Sequence, residues 1–156
     1  MVLPRVVLPK LLVKPVGRAI SDFGMIKSGD KILLAVSGGK DSLSLFHLLR
    51  HFQRHAPIKF DLGVVTIDPQ VEGFEPQALE VFFKQFDTPY FFEEFPILEQ
   101  AKESMKGDSY CSFCARIKRG LMYKVARREG YNVLALGQHL DDLSESLMMS
   151  MCHNGK

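Results

Sequence analysis

The 156-residue chain contains only three cysteines, Cys111, Cys114 and Cys152. So sparse and odd a set makes no disulfide framework and suits a reducing compartment. No stretch approaches the roughly 18 uninterrupted apolar residues that a membrane span needs. The apolar, basic N-terminus is interrupted by Pro4, Pro9 and Pro15, and no small-residue cleavage site follows it. It therefore reads as an extended arm over 1–15 and not as a secretory signal. Net charge is small, +2, and neither repeats nor linkers are visible. With 46% hydrophobic and 24% charged residues, the composition excludes collagen-like, disordered and low-complexity chains. One globular domain over 16–156 remains, with no membrane contact and a cytoplasmic location expected. A chain of this length buries roughly 70% of its unfolded surface, so its core needs no staples.

The small total conceals local imbalance. Residues 75–103 hold seven acids and two bases, whereas residues 116–128 hold six bases and no acid. A basic segment of that kind is either a solvated helix face or a surface for a polyanion.

Four apolar runs, 31–36, 60–67, 90–95 and 132–136, alternate with helical patterns over 41–54, 76–86 and 113–129. The first two runs are rich enough in Val, Ile and Leu to be buried on both faces. A further helix, around 20–25, precedes the first strand, with Ser28-Gly29-Asp30 as the turn between them. In the 113–129 helix, Ile117, Leu121 and Val125 recur at four-residue spacing and form its core stripe. Strands alternating with helices predict an α/β fold, a mostly parallel sheet with helices on both faces.

The most informative segment is Ser37-Gly38-Gly39-Lys40-Asp41-Ser42, set between a hydrophobic strand and an amphipathic helix. Two glycines let the backbone turn tightly and present bare N–H groups, while the helix aims its free amides and partial positive charge at the same point. Lys40 adds a full charge, and the hydroxyls of Ser37 and Ser42 add donors, so the loop suits phosphate oxygens. Counting excludes two commoner nucleotide motifs. A Walker A loop would need Gly where Leu34 stands, and a dinucleotide fingerprint would need Gly at Lys40 and Leu43.

Cys111-Ser112-Phe113-Cys114 stands directly before the basic helix. A helix N-terminus and nearby cations lower thiol pKa values, so at least one sulfur is expected to be a good thiolate. The spacing alone admits a redox pair, half a zinc site, an iron–sulfur ligand pair or two incidental cysteines. Thioredoxin chemistry is disfavoured, because the pair follows the third strand of a chain that already has a nucleotide loop. Cys152 is expected to be a small buried apolar residue. On the helix after Cys114, Arg116, Arg119, Tyr123 and Arg127 fall within about a quarter of the circumference. Guanidinium groups beside one aromatic ring suit the phosphates and an unstacked base of folded RNA.

The hexapeptide 37–42 resembles the signature of the PP-loop, or N-type, ATP pyrophosphatases. Gly137-Gln138-His139-Leu140-Asp141-Asp142 is similar to that family's Gly-His-x-x-Asp-Asp segment, with Gln138 standing where His is common. The stretch Cys111 to Gly120 resembles the tRNA 2-thiocytidine synthetase branch. The resemblance runs over nearly all of the chain after Val16. It implies an adenine nucleotide alpha-hydrolase-like (HUP) sheet, with ATP held by Ser37, Gly38, Gly39, Lys40, Asp41, Ser42 and Gly137. It also implies Mg²⁺ at Asp41 with Asp141 or Asp142, for which helix capping is the competing role. Further implications are tRNA as substrate, a persulfide-carrying sulfur donor, a homodimer, and a [4Fe–4S] cluster, with zinc as the alternative, on Cys111 and Cys114. The family continues through another strand and a second cysteine pair, so the chain reads as truncated.

The implied reaction is adenylation of the C2 carbonyl of a pyrimidine, cytidine being the expected base, followed by sulfur transfer from the Cys111/Cys114 site. One alternative keeps adenylation and uses an amine nucleophile, which leaves the two thiols without a purpose. Another is a protein that binds nucleotide or RNA without turnover.

Overall fold

The two runs richest in branched residues form the middle of a four-stranded parallel sheet. A computed structural model describes residues 6–70, 76–96 and 110–154, with the side chains of 110–112 and 153–154 outside that description. The elements in chain order are α1 (Lys10–Asp22), β1 (Lys31–Ala35), α2 (Lys40–His55), β2 (Asp61–Asp68), α3 (Pro76–Lys84), β3 (Tyr90–Glu94), α4 (Tyr110–Glu129), β4 (Val133–Leu136) and α5 (Leu140–Asn154).

Side chains alternate across a pleated strand, so each central strand feeds two cores. Ile32, Leu34 and Val64 pack on one side with Phe46 and Leu49 of α2 and Phe83 of α3. Leu33, Ala35, Val65 and Ile67 pack on the other with Val125 and Ala126 of α4. This is the expected sheet with helices on both faces. Phe46 meets Phe83 edge-to-face with ring centroids 4.8 Å apart, an arrangement worth about 0.5–1.5 kcal/mol beyond the area it buries.

The strand order is β3-β2-β1-β4. From β1 the chain moves outward through β2 to β3, then returns to place β4 on the other side of β1. This reversal opens a crevice beyond the carboxyl ends of β1 and β4, the position where open parallel sheets bind ligands.

Three expectations need correction. The arm over 1–15 is not extended throughout, since α1 starts at Lys10 and carries Pro15 inside it. Pro9 caps α1, its carbonyl accepting from the amides of Leu12 and Val13 at 2.9 and 3.1 Å. Pro15 forfeits one helical hydrogen bond, yet the helix is braced two residues later, where Gly17 abuts the Phe52 ring of α2. The Cys111-x-x-Cys114 pair lies within the first two turns of α4, not ahead of it. Finally, Cys152 is exposed together with Met148, Met149 and Met151, because the distal part of α5 does not pack on the sheet.

A polar latch closes the amino edge. Asp30 accepts from the Lys27 amide at 2.6 Å and from Asn132 Nδ2 at 2.8 Å, and Asn132 Oδ1 accepts from the Lys31 amide at 2.7 Å. These bonds join the α1–β1 turn to the start of β4. The Lys27 amide above all, then Asn132, hold the Asp30 carboxyl below the ordinary carboxylate range. A depressed folded pKa stabilises the fold fully above the unfolded value, and that contribution fades as pH falls through the folded value. Asp30→Ala is therefore expected to lower Tm by a few degrees at pH 7, with the gap closing in acid below the carboxylate range. Thermal melts of both proteins across pH check it.

A crevice at the carboxyl edge of the sheet

Beyond β1 the chain turns through Ser37 and Gly38, whose φ of +85° lies in the region that favours glycine. Gly39 then opens α2 in extended geometry, and no side chain caps that helix. Its first-turn amides are left to whatever occupies the crevice. The Ser42 hydroxyl, nearly buried, donates to the Gly39 carbonyl at 2.9 Å and fixes the turn.

The end of β4 presses against this turn. A Cβ on Gly137 would stand 2.9 Å from both the Cα and the N of Ser42, so only glycine allows the approach. Three residues later α5 begins, with the His139 amide donating to Asp142 Oδ2 at 2.9 Å. Asp142 thus caps α5 in the manner of a capping box while still bordering the crevice. Asp141 points outward, its side chain 87% exposed.

The cavity enclosed by these segments has a volume of about 420 Å³, within the range of small-molecule sites. Ser37, Gly39, Asp41, Ser42, Gly137 and Asp142 border it, and so does Arg119, which the sequence had pointed toward RNA. Gly38, Lys40 and Asp141 do not line it. Lys40 instead lies along the surface, with Nζ 2.9 and 3.0 Å from the two carboxylate oxygens of Asp41. That hydrogen bond raises the Lys40 pKa, Asp142 contributing at longer range, and the same contact lowers that of Asp41.

Among the lining residues that sequence reasoning missed are Lys118 and Met122 of α4, Ile67 of β2 and Gln138. Met122 and Ile67 join Leu136 and Val36 as apolar wall. Lys118 follows Cys114 by one helical turn, which is the one signal that could have found it, since that spacing places it above the thiol on the same side of α4.

Arg116, Tyr123 and Arg127 are exposed on α4, and Arg119 joins their face to the crevice. Arg128, at the end of the basic run, is engaged elsewhere, with Glu93 of β3 at 2.5 Å and with Glu129 at 2.7 Å. Cys114 is a half-buried free thiol, and its neighbour Ala115 borders the crevice. The Cys111 thiol lies outside the described side chains. Among the described residues, no three His, Cys, Asp or Glu side chains gather as a metal site, and no helix is long and apolar enough to cross a membrane.

Comparison with known proteins places this geometry. The tRNA-cytidine(32) 2-sulfurtransferase of Geobacter sulfurreducens is 43% identical over 142 residues, covering 90% of this chain and 55% of that protein. The enzyme of the same name from Acidovorax ebreus is 42% identical over 150 residues, covering 96% and 47%. The chain thus spans about half the length of the curated relatives it matches. Among solved structures, the U34-tRNA thiolase NcsA from Methanococcus maripaludis with its [4Fe–4S] cluster superimposes with a TM-score of 0.72 at 24% identity, over 91% of this chain and 50% of that one. It shares the fold. The family described as PP-loop domain matches residues 12–155. With that match running from α1 into α5 and the amide-lined turn seated at the reversal of the sheet, the chain belongs to the PP-loop domain family.

Proposed function

We propose that this chain is the ATP-dependent activating domain of a cytoplasmic tRNA-thiolating enzyme that modifies a cytidine at C2. The observation that carries the reading is the convergence in one crevice of the uncapped α2 turn, the carboxylates of Asp41 and Asp142, and the α4 cations Lys118 and Arg119, one helical turn beyond Cys114. The names of the relatives at 43% and 42% identity supply the substrate class.

In this reading the amides of 39–42 and the Ser37 hydroxyl hold the β- and γ-phosphates, while the apolar wall of Val36, Ile67, Met122 and Leu136 takes the adenine. Lys118 and Arg119 stand over the α-phosphate, where charge accumulates during adenylation. Lys40 must swing from Asp41 to neutralise the departing pyrophosphate, which frees the Asp41 carboxylate as it does so. Asp41 and Asp142 would then hold Mg²⁺, a Lewis acid on phosphate oxygens, with Asp141 at the rim. The C2 carbonyl oxygen of the base attacks the α-phosphorus, pyrophosphate leaves, and the oxygen becomes part of a good leaving group, AMP. Arg116, Tyr123 and Arg127 extend the cationic face along which tRNA lies.

Two thiolates at C-x-x-C spacing are soft donors suited to iron or zinc, and they supply half of a four-ligand site. Cys111 and Cys114 would hold their share of a [4Fe–4S] cluster, which when bound supplies the sulfur-carrying centre.

Pyrophosphate release from ATP is expected to depend on tRNA and to fall when Lys40 is replaced by Ala. With a sulfur donor present, the Cys111→Ser/Cys114→Ser protein should release pyrophosphate and form no 2-thiocytidine. Full release by Lys40→Ala would overturn the phosphate role of the loop. Intact product formation without the two thiols would turn the reading to an amine nucleophile, and ATP binding without turnover would leave a nucleotide-binding protein.

A further inference from the structure

Part of the turn that faces the crevice is tied down and part is not. The Gly39 carbonyl accepts from the Ser42 hydroxyl at 2.9 Å and from the Leu43 amide at 3.2 Å. Before the turn, the Val36 amide donates to the Val65 carbonyl at 2.9 Å. Between these anchors, neither Ser37 nor Gly38 makes a hydrogen bond to any described residue. Gly38 has a φ of +85°, and glycine has more backbone freedom to lose than any other residue. Packing must therefore set its place. A Cβ built on Gly38 would meet the two terminal methyls of Leu79 in α3 at 3.7 and 3.8 Å, and nothing else described lies within 4 Å apart from the glycine's own chain neighbours.

Leu79 owes its position to Phe83, one helical turn further along α3. Phe83 is fully buried, stacks on Tyr90 with ring centroids 5.4 Å apart, and meets Phe46 edge-on. Residues four apart share one helix face, so seating Phe83 seats Leu79 over the turn. Leu79 packs on the α2 side of the sheet, opposite α4. We propose that Leu79 is a positioning residue for ATP, its methyls holding Gly38 so that the Ser37 hydroxyl and the Gly39 amide meet the phosphates already in place. This rests on the nucleotide reading of the crevice and adds to it a residue that acts only through the turn. Order imposed while the chain folds does not have to be imposed when the ligand binds. A smaller side chain at 79 leaves two unbonded residues free to move, and part of the binding free energy of ATP then goes into ordering them.

The test adds ATP and adenosine separately to the full chain and to its Leu79→Ala, Leu79→Met and Val81→Ala variants, and follows protein NMR shifts, which read weak binding as well as tight. Val81 is 60% exposed on α3 and controls for loss of bulk in that helix alone. Leu79→Ala is expected to weaken ATP binding about tenfold, the scale set by ordering one residue's backbone on binding. Adenosine, which has no phosphate for the turn to grip, should bind as it does to the parent. Methionine refills the space and should restore ATP binding, while Val81→Ala should bind both ligands like the parent. With tRNA present, the KM for ATP should rise in Leu79→Ala with kcat little changed, as loss of uniform binding requires. Unchanged ATP affinity in Leu79→Ala would overturn the proposal, and so would equal losses of ATP and adenosine, which belong to a residue that merely packs. A parent chain that bound no ATP would overturn the nucleotide reading itself, and this inference with it.

Discussion

Replacing Gly137 by alanine is expected to lower nucleotide affinity at least tenfold and to destabilise the fold by about 1–3 kcal/mol, the usual cost of overpacking. The new methyl would stand 2.9 Å from the Cα and N of Ser42, and neither is the flexible tip of a side chain that can swing aside. The backbone must separate, pulling β4 from the start of α2 and widening the turn whose amides face the crevice. Valine in the same place should be worse. ATP titration followed by calorimetry, beside a denaturant melt, separates the two effects. Unchanged affinity in a destabilised but folded protein would show that the turn does not grip phosphate.

The second large effect is expected at Lys118. Its replacement by alanine should cut tRNA-dependent pyrophosphate release roughly 100-fold, within the range known for removing one preorganised donor from a developing charge. Arg127→Ala, two and a half turns further along α4 and outside the crevice, should leave ATP-only binding unchanged and weaken tRNA binding more at low salt than at high. Lys118 is the more consequential cation because it already borders the crevice, whereas Lys40 begins paired with Asp41 on the outside. A Lys118→Ala protein that releases pyrophosphate at the parent rate would remove α4 from the chemistry.

The central strands were legible because burial on both faces demands continuous branched runs, and 31–36 and 60–67 have them. The Ser37–Ser42 turn was legible because a Gly-Gly pair between an apolar run and a helix has few other uses. Lys118 and Met122 were not, since periodicity identifies the inward face of α4 but not which flanking residues reach past the sheet to its carboxyl edge. That depends on the tilt of the helix, a tertiary property. Pro15 misled for a different reason. Three prolines in fifteen residues favour extended chain on local grounds, but Pro9 at a cap and Pro15 within a helix braced on Phe52 cost little enough to be overridden by packing. Asp142 was read as either a cap or a metal ligand, and the structure shows the first role without closing off the second, because only one of its carboxylate oxygens is engaged by the His139 amide.

The bare start of α2 has one more consequence. Serine or aspartate at position 39 would finish that helix by itself and satisfy the amides from within. Glycine leaves the task undone, so the first turn is completed only when an anion arrives, and what recognises the substrate is also the least self-sufficient piece of the helix. Occupancy and local order at this point are then a single event, and the protein is firmest where it is loaded.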